Sequence, residues 1–300
     1  MLPRSLLIPL DGSRLAERSL VFVEALSGAG QLAVTLISVI DDQDETRSLA
    51  PDEFLEREAN VLATYLREVA TDMEKHLNVR VQSEVLQGSP AELLLARSAQ
   101  LNSDLMVVSS HGRSGLSRWQ VGSVADKLIR GAQCPILVVG PHASDEGGWL
   151  ETQVREPFER ILVPLDGSEL SESSLEPAEE YAKQFASEIH LVRIVNPLVF
   201  GDAIAMESAY TPTLVDTLTE AATEYLRNAS QRISAPGGVR CSVQIGSIAT
   251  MLEGYIGIND IDLVIMSTHG RGGFSRAALG SVTDRMLGGS APVLVLRAAK

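Results

Sequence analysis

Two stretches of this chain combine glycine, serine and arginine in a spacing that could bind an anion. The first is Ser-Ser-His-Gly-Arg-Ser-Gly at residues 109–115, and it ends at Gly122-Ser123. The second is Ser-Thr-His-Gly-Arg-Gly-Gly at residues 267–273, and it ends at Gly280-Ser281. Each stretch follows an apolar run and precedes a helix-like segment, an arrangement that presents backbone N–H groups to an anion. We therefore interpret both stretches as phosphate-binding loops.

Particular residue types within these loops suit a phosphate. Glycine lacks the Cβ that would keep the backbone away from an anion, and nine residues separate Gly112 from Gly122 and Gly270 from Gly280. Hydroxyl and guanidinium groups can donate hydrogen bonds to phosphate oxygens. The residues that carry those groups are Ser123, Ser281, Arg113 and Arg271. The alternative is an ordinary strand-to-helix turn with solvated arginines, and the repeated spacing favours the phosphate interpretation.

An aspartate follows the first apolar run of each half of the chain. Leu-Ile-Pro-Leu-Asp-Gly-Ser at residues 7–13 recurs as Leu-Val-Pro-Leu-Asp-Gly-Ser at residues 162–168, which places the carboxylates at Asp11 and Asp166. A carboxylate accepts hydrogen bonds, so it suits ribose hydroxyls or an exocyclic amine. Asp-Gly-Ser is also favourable turn and helix-capping chemistry, with Ser13 as an N-cap. The two roles are compatible.

The chain is an internal duplication. The aspartate motif, the glycine loop and the last apolar strand recur in the same order, at offsets of 155, 158 and 157 residues. A period of this length indicates two tandem domains rather than a solenoid, in line with a length of 300 residues. We expect a first domain over residues 1–140, a linker over residues 141–156 and a second domain over residues 157–300.

Each half alternates apolar strands with helical segments. In the first half the pattern predicts strands at residues 5–10, 33–40, 79–86, 105–108 and 136–139, and helices at residues 16–25, 53–75, 90–101 and 122–129. Runs that are apolar throughout indicate parallel strands covered on both faces. Right-handed crossovers then give a doubly wound α/β sheet, whose ligand crevice lies at the carboxyl ends of the strands. The aspartates and the glycine loops converge on that crevice.

The composition restricts the partners and the location. A formal net charge of -14 argues against nucleic acid, which calls for a basic face, and against an anionic membrane surface. No run reaches the roughly 18 apolar residues of a membrane span, and the first ten residues lack the features of a signal peptide. The two cysteines do not occupy equivalent positions of the repeat and indicate a reducing compartment. We therefore expect a soluble cytoplasmic protein.

These motifs together resemble those of the universal stress protein family. That family's loop reads Gly, two residues, Gly, nine residues, Gly, then Ser or Thr; both halves keep this pattern except that Ser109 and Ser267 replace the first glycine. Serine is small, and its hydroxyl can still face a phosphate. The resemblance covers nearly the whole chain. It implies two tandem five-stranded parallel sheets in the order 3-2-1-4-5, the adenine-nucleotide alpha-hydrolase-like fold.

The resemblance also implies the ligand, which is ATP, with room for Mg²⁺ or Mn²⁺ held by the phosphates. It places Asp11 and Asp166 by the ribose and adenine, and Val39 and Ile194 against adenine, although both apolar residues could simply be strand core. The nucleotide-binding set that we predict is Pro9, Asp11, Val39, Ser109, Gly112, Arg113, Gly122, Ser123 and Val124, and in the second half Pro164, Asp166, Ile194, Ser267, Gly270, Arg271, Gly280, Ser281 and Val282. Because the five histidines are scattered, no metal held by the protein itself is expected.

The expected function is a nucleotide-responsive stress-signalling module, built as a pseudo-dimer of its two domains, with room for a further homodimer and a signalling partner. Two alternatives remain: a slow ATP-hydrolysing or adenylyl- or phosphoryl-transferring enzyme, and a dimerisation scaffold that binds no nucleotide. The enzyme would need a base or lysine at the crevice, and neither loop contains lysine. A Ser/His hydrolase at His111 and His269 lacks the nucleophile elbow and the orienting acid, so no catalytic residue is predicted.

Overall fold

The chain divides into two compact units, residues 2–156 and residues 157–300, in the computed structural model. The structure describes residues 2–28, 30–42, 52–110, 121–140, 158–196, 212–268 and 281–297. The predicted linker, residues 141–156, lies outside these described ranges.

The first unit is a five-stranded parallel sheet flanked by helices. Its strands are β1 (Ser5–Pro9), β2 (Leu32–Ile40), β3 (Val79–Gln87), β4 (Leu105–Ser109) and β5 (Ile136–Val139). Its helices are α1 (Arg14–Glu17), α2 (Val21–Ser27), α3 (Asp52–His76), α4 (Pro90–Leu101) and α5 (Ser123–Gly131). The strand order is β3-β2-β1-β4-β5. Leu7 of the central strand pairs with Thr35 on one side and Met106 on the other.

The second unit repeats this arrangement. Its strands are β6 (Arg160–Pro164), β7 (Glu188–Val195), β8 (Val239–Ile245), β9 (Leu263–Thr268) and β10 (Val293–Arg297). Its helices are α6 (Glu169–Glu172), α7 (Leu175–Phe185), α8 (Pro212–Ser230), α9 (Ile248–Ile258) and α10 (Ser281–Leu287). The order β8-β7-β6-β9-β10 is again third, second, first, fourth, fifth. The predicted fold, two tandem doubly wound α/β domains, is confirmed.

The central strands are buried along their length. Leu6, Leu7 and Ile8 of β1 are fully buried, and so are Leu263, Val264 and Ile265 of β9. Consecutive buried residues require cover on both faces of the sheet, which explains why these strands are apolar throughout rather than alternating. Because both faces are covered, a ligand can reach a central strand only at its end.

The longest described helix, α3, is amphipathic. It buries Leu62, Leu66 and Met73 and presents charged residues such as Arg67 and Glu68 to solvent. Its apolar face packs on β2 and β3, as the periodicity of residues 53–75 predicts. Among the described helices, none combines the length and the apolar content that crossing a bilayer requires.

One predicted helix, over residues 16–25, is broken. α1 ends at Glu17, a 3-10 turn covers residues 18–20, and α2 begins at Val21. The buried hydroxyl of Ser19 donates a 2.6 Å hydrogen bond to the carbonyl of Ala16, a back-bonding that bends helices. The second unit has the same break between α6 and α7, at Ser173 and Ser174. The break places serine side chains near the strand ends, where the site lies.

Candidate functional site

Each sheet has a topological switch point between its two most central strands. The chain adds β2 and β3 on one side of β1, then turns back and adds β4 and β5 on the other. Such a reversal leaves a crevice at the carboxyl ends of the two strands between which it occurs. Asp11 lies two residues beyond β1, and Ser109 is the last residue of β4. In the second unit, Asp166 and Ser267 flank the equivalent point between β6 and β9.

The first-unit aspartate supports the turn that carries it. The backbone N–H of Ser13 donates a 2.9 Å hydrogen bond to Oδ1 of Asp11. The Ser13 hydroxyl in turn accepts a 3.2 Å bond from the N–H of Ala16 and caps α1, as predicted. The helix cap is therefore the serine, and the aspartate lies two residues earlier, half-buried at the rim of the crevice.

The second-unit aspartate accepts two hydrogen bonds from one serine. Oδ1 of Asp166 accepts a 2.9 Å bond from the N–H of Ser168 and a 2.6 Å bond from its hydroxyl. Partial burial raises the pKa of the carboxyl, but these bonds from Ser168 outweigh burial and hold the pKa below its usual range. The Ser171 hydroxyl also helps to lower the pKa of Asp166. Asp166 thus offers an ionised, acceptor-only oxygen at neutral pH.

Val39 and Ile194 are the next-to-last residues of the strands beside β1 and β6. Both are half-buried, so each presents part of an apolar side chain near the crevice. Pro9 and Pro164 end the central strands themselves. The two units therefore bring an apolar strand end beside an aspartate in the same way.

Arg193 is a residue that the sequence analysis missed. Its guanidinium lies 4.6 Å from the ring centre of Tyr225 and packs under the turn that carries Asp166. A Cβ on Gly167 would lie 3.2 Å from Nη1 of Arg193, and Gly167 has φ +91°. The close approach and the positive φ both explain why this turn needs glycine. Since Ser38 takes the place of Arg193 in the first unit, no signal in the repeat marks this arginine.

A backbone hydrogen bond joins the residue after β4 to the start of α5 in the first unit. The N–H of Gly122 donates a 2.7 Å bond to the carbonyl of Ser110, whose own N–H bonds to Val139. Gly122 is the N-cap of α5 with φ -59°, a conformation that any residue adopts. No side chain among the described residues caps α5, and the first four N–H groups of a helix have no partner within the helix.

The remaining predicted residues divide into two groups. Ser123 begins α5 and is exposed, while Val124 is half-buried in its first turn. Ser281 and Val282 begin α10. Five predicted loop residues lie outside the described ranges, as do the two loop histidines: Gly112, Arg113, Gly270, Arg271, Gly280, His111 and His269. The structure thus places the strand-end half of each predicted site and leaves the loop interior undescribed.

Ser267 is the middle member of a row of three hydrogen-bonded serine hydroxyls. Its Oγ lies 2.8 Å from Oγ of Ser173 and 2.8 Å from Oγ of Ser174. The Ser173 hydroxyl donates its proton to the carbonyl of Leu170 at 2.6 Å. A serine hydroxyl has one proton, so Ser173 must accept from Ser267, and Ser267 must accept from Ser174. Because each hydroxyl has one proton, the direction of all three hydrogen bonds is determined.

No group of three or more His, Cys, Asp or Glu side chains in the described ranges is arranged to hold a metal ion.

Sequence comparison links both units to one family. The model of the universal stress protein family matches residues 3–140 and 157–297. A universal stress protein of Mycobacterium bovis is 27% identical over 243 residues, which cover 78% of this chain and 74% of that protein. A universal stress protein of Methanocaldococcus jannaschii is 37% identical over 67 residues, which cover 22% of this chain and 39% of the length of that protein.

Structural comparison gives the same fold. A universal stress protein from Archaeoglobus fulgidus aligns over 99% of this chain and 99% of its own, with a TM-score of 0.70 and 18% sequence identity. At this identity the likeness shows the fold, two tandem α/β domains, and does not identify a ligand.

Proposed function

Because this chain belongs to the universal stress protein family, we propose that each of its two units binds ATP at the carboxyl ends of its central strands. The observation that supports this most directly is the position of three residues on adjacent strands. In the first unit, Val39 is the next-to-last residue of β2, Asp11 follows β1 and Ser109 ends β4. Adjacent strands are about 4.8 Å apart, so the three positions share one crevice, and the second unit repeats them at Ile194, Asp166 and Ser267.

The electrostatics of the crevice set the orientation of the nucleotide. An ionised carboxylate repels phosphate and accepts hydrogen bonds from hydroxyl or amine groups. The ribose and adenine therefore lie at Asp11 and Asp166, with the adenine against Val39 and Ile194. The triphosphate lies at the opposite side, on the glycine loop.

The glycine loop supplies the donors for the triphosphate. In the first unit the start of α5 adds N–H groups and the positive end of the helix dipole. Gly112, Arg113, Gly122 and Ser123 are the ligands proposed there, and Gly270, Arg271, Gly280 and Ser281 are those proposed in the second unit. Mg²⁺ or Mn²⁺ bound with the nucleotide would neutralise charge between its phosphates.

ATP acts here as a signal rather than as a substrate. A ligand shifts a conformational equilibrium by its difference in affinity for the two states, so the nucleotide-bound chain would present a different surface to a signalling partner in the cytoplasm. Neither loop contains a lysine that could assist group transfer.

The proposal is tested on the purified full-length chain. Mass spectrometry of the denatured protein would identify a co-purified adenine nucleotide, and titration calorimetry with ATP and magnesium would give the affinity and up to two sites per chain. ATP should also raise the unfolding temperature, because a ligand that binds only the native state stabilises it. The proposal is wrong if no adenine nucleotide co-purifies, none binds and the unfolding temperature stays constant.

A further inference from the structure

We propose that Ser173 and Ser174 are positioning residues for the nucleotide site of the second unit, and that they act through Ser267. The inference rests on the proposed nucleotide binding and adds a residue role that the loop motif does not contain. Its basis is the hydroxyl chain that runs from Ser174 through Ser267 to Ser173.

The direction of that chain determines what Ser267 can offer to a phosphate. The Ser267 hydroxyl donates its only proton in a hydrogen bond to Ser173. The Ser173 hydroxyl can accept this bond because its own proton is donated to the carbonyl of Leu170. The Ser267 hydroxyl therefore cannot donate to a phosphate oxygen while the chain is intact. Ser267 contributes instead by the position of its backbone at the point where β9 ends and the glycine loop begins.

The burial of Ser174 maintains these serine hydrogen bonds in the ligand-free protein. Ser174 is fully buried, and its bond to Ser267 is the only one that its hydroxyl makes within the described ranges. An unpaired buried hydroxyl is costly, so Ser174 holds Ser267 in the ligand-free protein as well. A site fixed in advance loses less conformational freedom when the nucleotide binds.

The first unit cannot build the same chain. Arg18 occupies the position equivalent to Ser173, and the Ser19 hydroxyl, equivalent to that of Ser174, donates its proton to Ala16. The two nucleotide sites therefore differ at the entry to the loop. The serine hydrogen bonds fix the start of the glycine loop in the second unit, and the first unit lacks them because Arg18 replaces Ser173. We therefore expect the second unit to bind ATP more tightly.

The experiment uses the full chain with Asp11→Asn, which weakens the first site so that calorimetry reports the second. In this background Ser173→Ala and Ser267→Ala should each raise the Kd for ATP by about threefold to tenfold, the effect of one lost hydrogen bond. The double variant should bind ATP no more weakly than the weaker-binding single variant, because both changes break the same row of serine hydrogen bonds. Ser173→Thr retains the hydroxyl and should restore the affinity.

The opposite sign would overturn the inference. If the Ser267 hydroxyl is a direct phosphate ligand, Ser173→Ala leaves the Ser267 proton free to bond to the phosphate and lowers the Kd for ATP. Ser267→Ala would still raise that Kd. Ser173 is exposed, so its replacement should leave the ligand-free unfolding temperature within about 2 °C, which separates positioning from a general loss of stability. An unchanged Kd in Ser173→Ala refutes the positioning role and leaves the proposed function standing. If the parent chain binds no adenine nucleotide, both proposals are refuted.

Discussion

The Tyr225 hydroxyl donates a 3.0 Å hydrogen bond to Oε1 of Glu172, and the first unit repeats this pair as a 2.9 Å bond from Tyr65 to Glu17. In both units the bond joins the short helix after the aspartate turn, α1 or α6, to the long helix, α3 or α8. The turn that carries each proposed ligand carboxylate is thus fixed from the helical layer as well as from the sheet.

Removing either tyrosine hydroxyl should destabilise its unit. Burial, reinforced by the Glu172 carboxylate, raises the pKa of Tyr225 to about 12, so the phenol remains a donor at physiological pH. We expect Tyr225→Phe and Tyr65→Phe each to lower the free energy of unfolding by about 1 kcal/mol, the net value of one such bond. Urea unfolding followed by circular dichroism would measure this, and an unchanged midpoint in both variants would contradict it.

Tyr225→Ala is the informative comparison. It removes the aromatic ring on which Arg193 stacks as well as the hydroxyl. Its loss should therefore exceed that of Tyr225→Phe by about 0.5–1 kcal/mol or more, the value of an exposed cation–π contact. Equal losses in the two variants would mean that the stack contributes nothing to stability.

Asp166→Asn tests the ligand carboxylate without dismantling its turn. The asparagine retains Oδ1, which can still accept from the N–H and hydroxyl of Ser168, but it replaces Oδ2 with a donor. Hydrogen bonds to a charged group contribute roughly 1.5–3 kcal/mol, so we expect the second-site Kd for ATP to rise by about tenfold or more. Calorimetry should show this with little change in unfolding temperature, and unaltered ATP affinity would exclude Asp166 from the site.

The strands could be predicted because their signal is local. A continuous apolar run bounded by turn residues marks each one, and predicted strands at residues 5–10, 33–40 and 136–139 correspond to β1, β2 and β5 within one residue at each end. The internal duplication also provides a second copy of each strand pattern, which supports the same assignment. The predicted helix at residues 16–25 failed because its periodicity is real, but a buried hydroxyl, Ser19, interrupts it, and periodicity does not register a single back-bonded serine.

The polar contacts of the site could not be predicted because their partners are distant in the chain. Ser174 and Ser267 are 93 residues apart, and Ser173 and Ser267 are 94 residues apart. One signal was present and was not used: glutamate and tyrosine recur at equivalent places in both halves, as Glu17 with Tyr65 and Glu172 with Tyr225. The serine chain offers no such signal because Arg18 breaks its repeat.

His190 should make the protein sensitive to acid. Its ring is 1% exposed, with Nδ1 2.9 Å from the Tyr255 hydroxyl and Nε2 3.0 Å from Oε2 of Glu188. A carboxylate only accepts, so the neutral ring donates from Nε2 and accepts from Tyr255 at Nδ1. Burial lowers the pKa of His190; the Glu188 carboxylate opposes this shift, and the charges of Arg240 and Arg160 add to it.

The sign of the effect follows from linkage. The unfolded chain takes up a proton at His190 near pH 6.5, whereas the folded chain resists it until a lower pH. Stability is therefore unaffected by this group above about pH 7.5 and falls as the pH drops through about 6.5. His190→Gln, whose amide can still donate to Glu188, should lose less stability between about pH 7.5 and 5.5 than the parent chain. Parallel pH profiles in urea unfolding would contradict this.

Gly254 is a position where the sequence can be improved. It lies inside α9, and a Cβ built on it has no atom within 4 Å; the equivalent residue of α4 is Ala96. Gly254→Ala should raise the free energy of unfolding by about 1 kcal/mol, the difference in helix propensity between the two residues. Gly237→Ala is the matched contrast, because its Cβ would lie 2.5 Å from the backbone nitrogen of Glu188, so the same change should destabilise there. Urea midpoints should therefore move in opposite directions, and a Gly254→Ala midpoint at or below that of the parent chain would show that α9 needs its glycine for a reason other than packing.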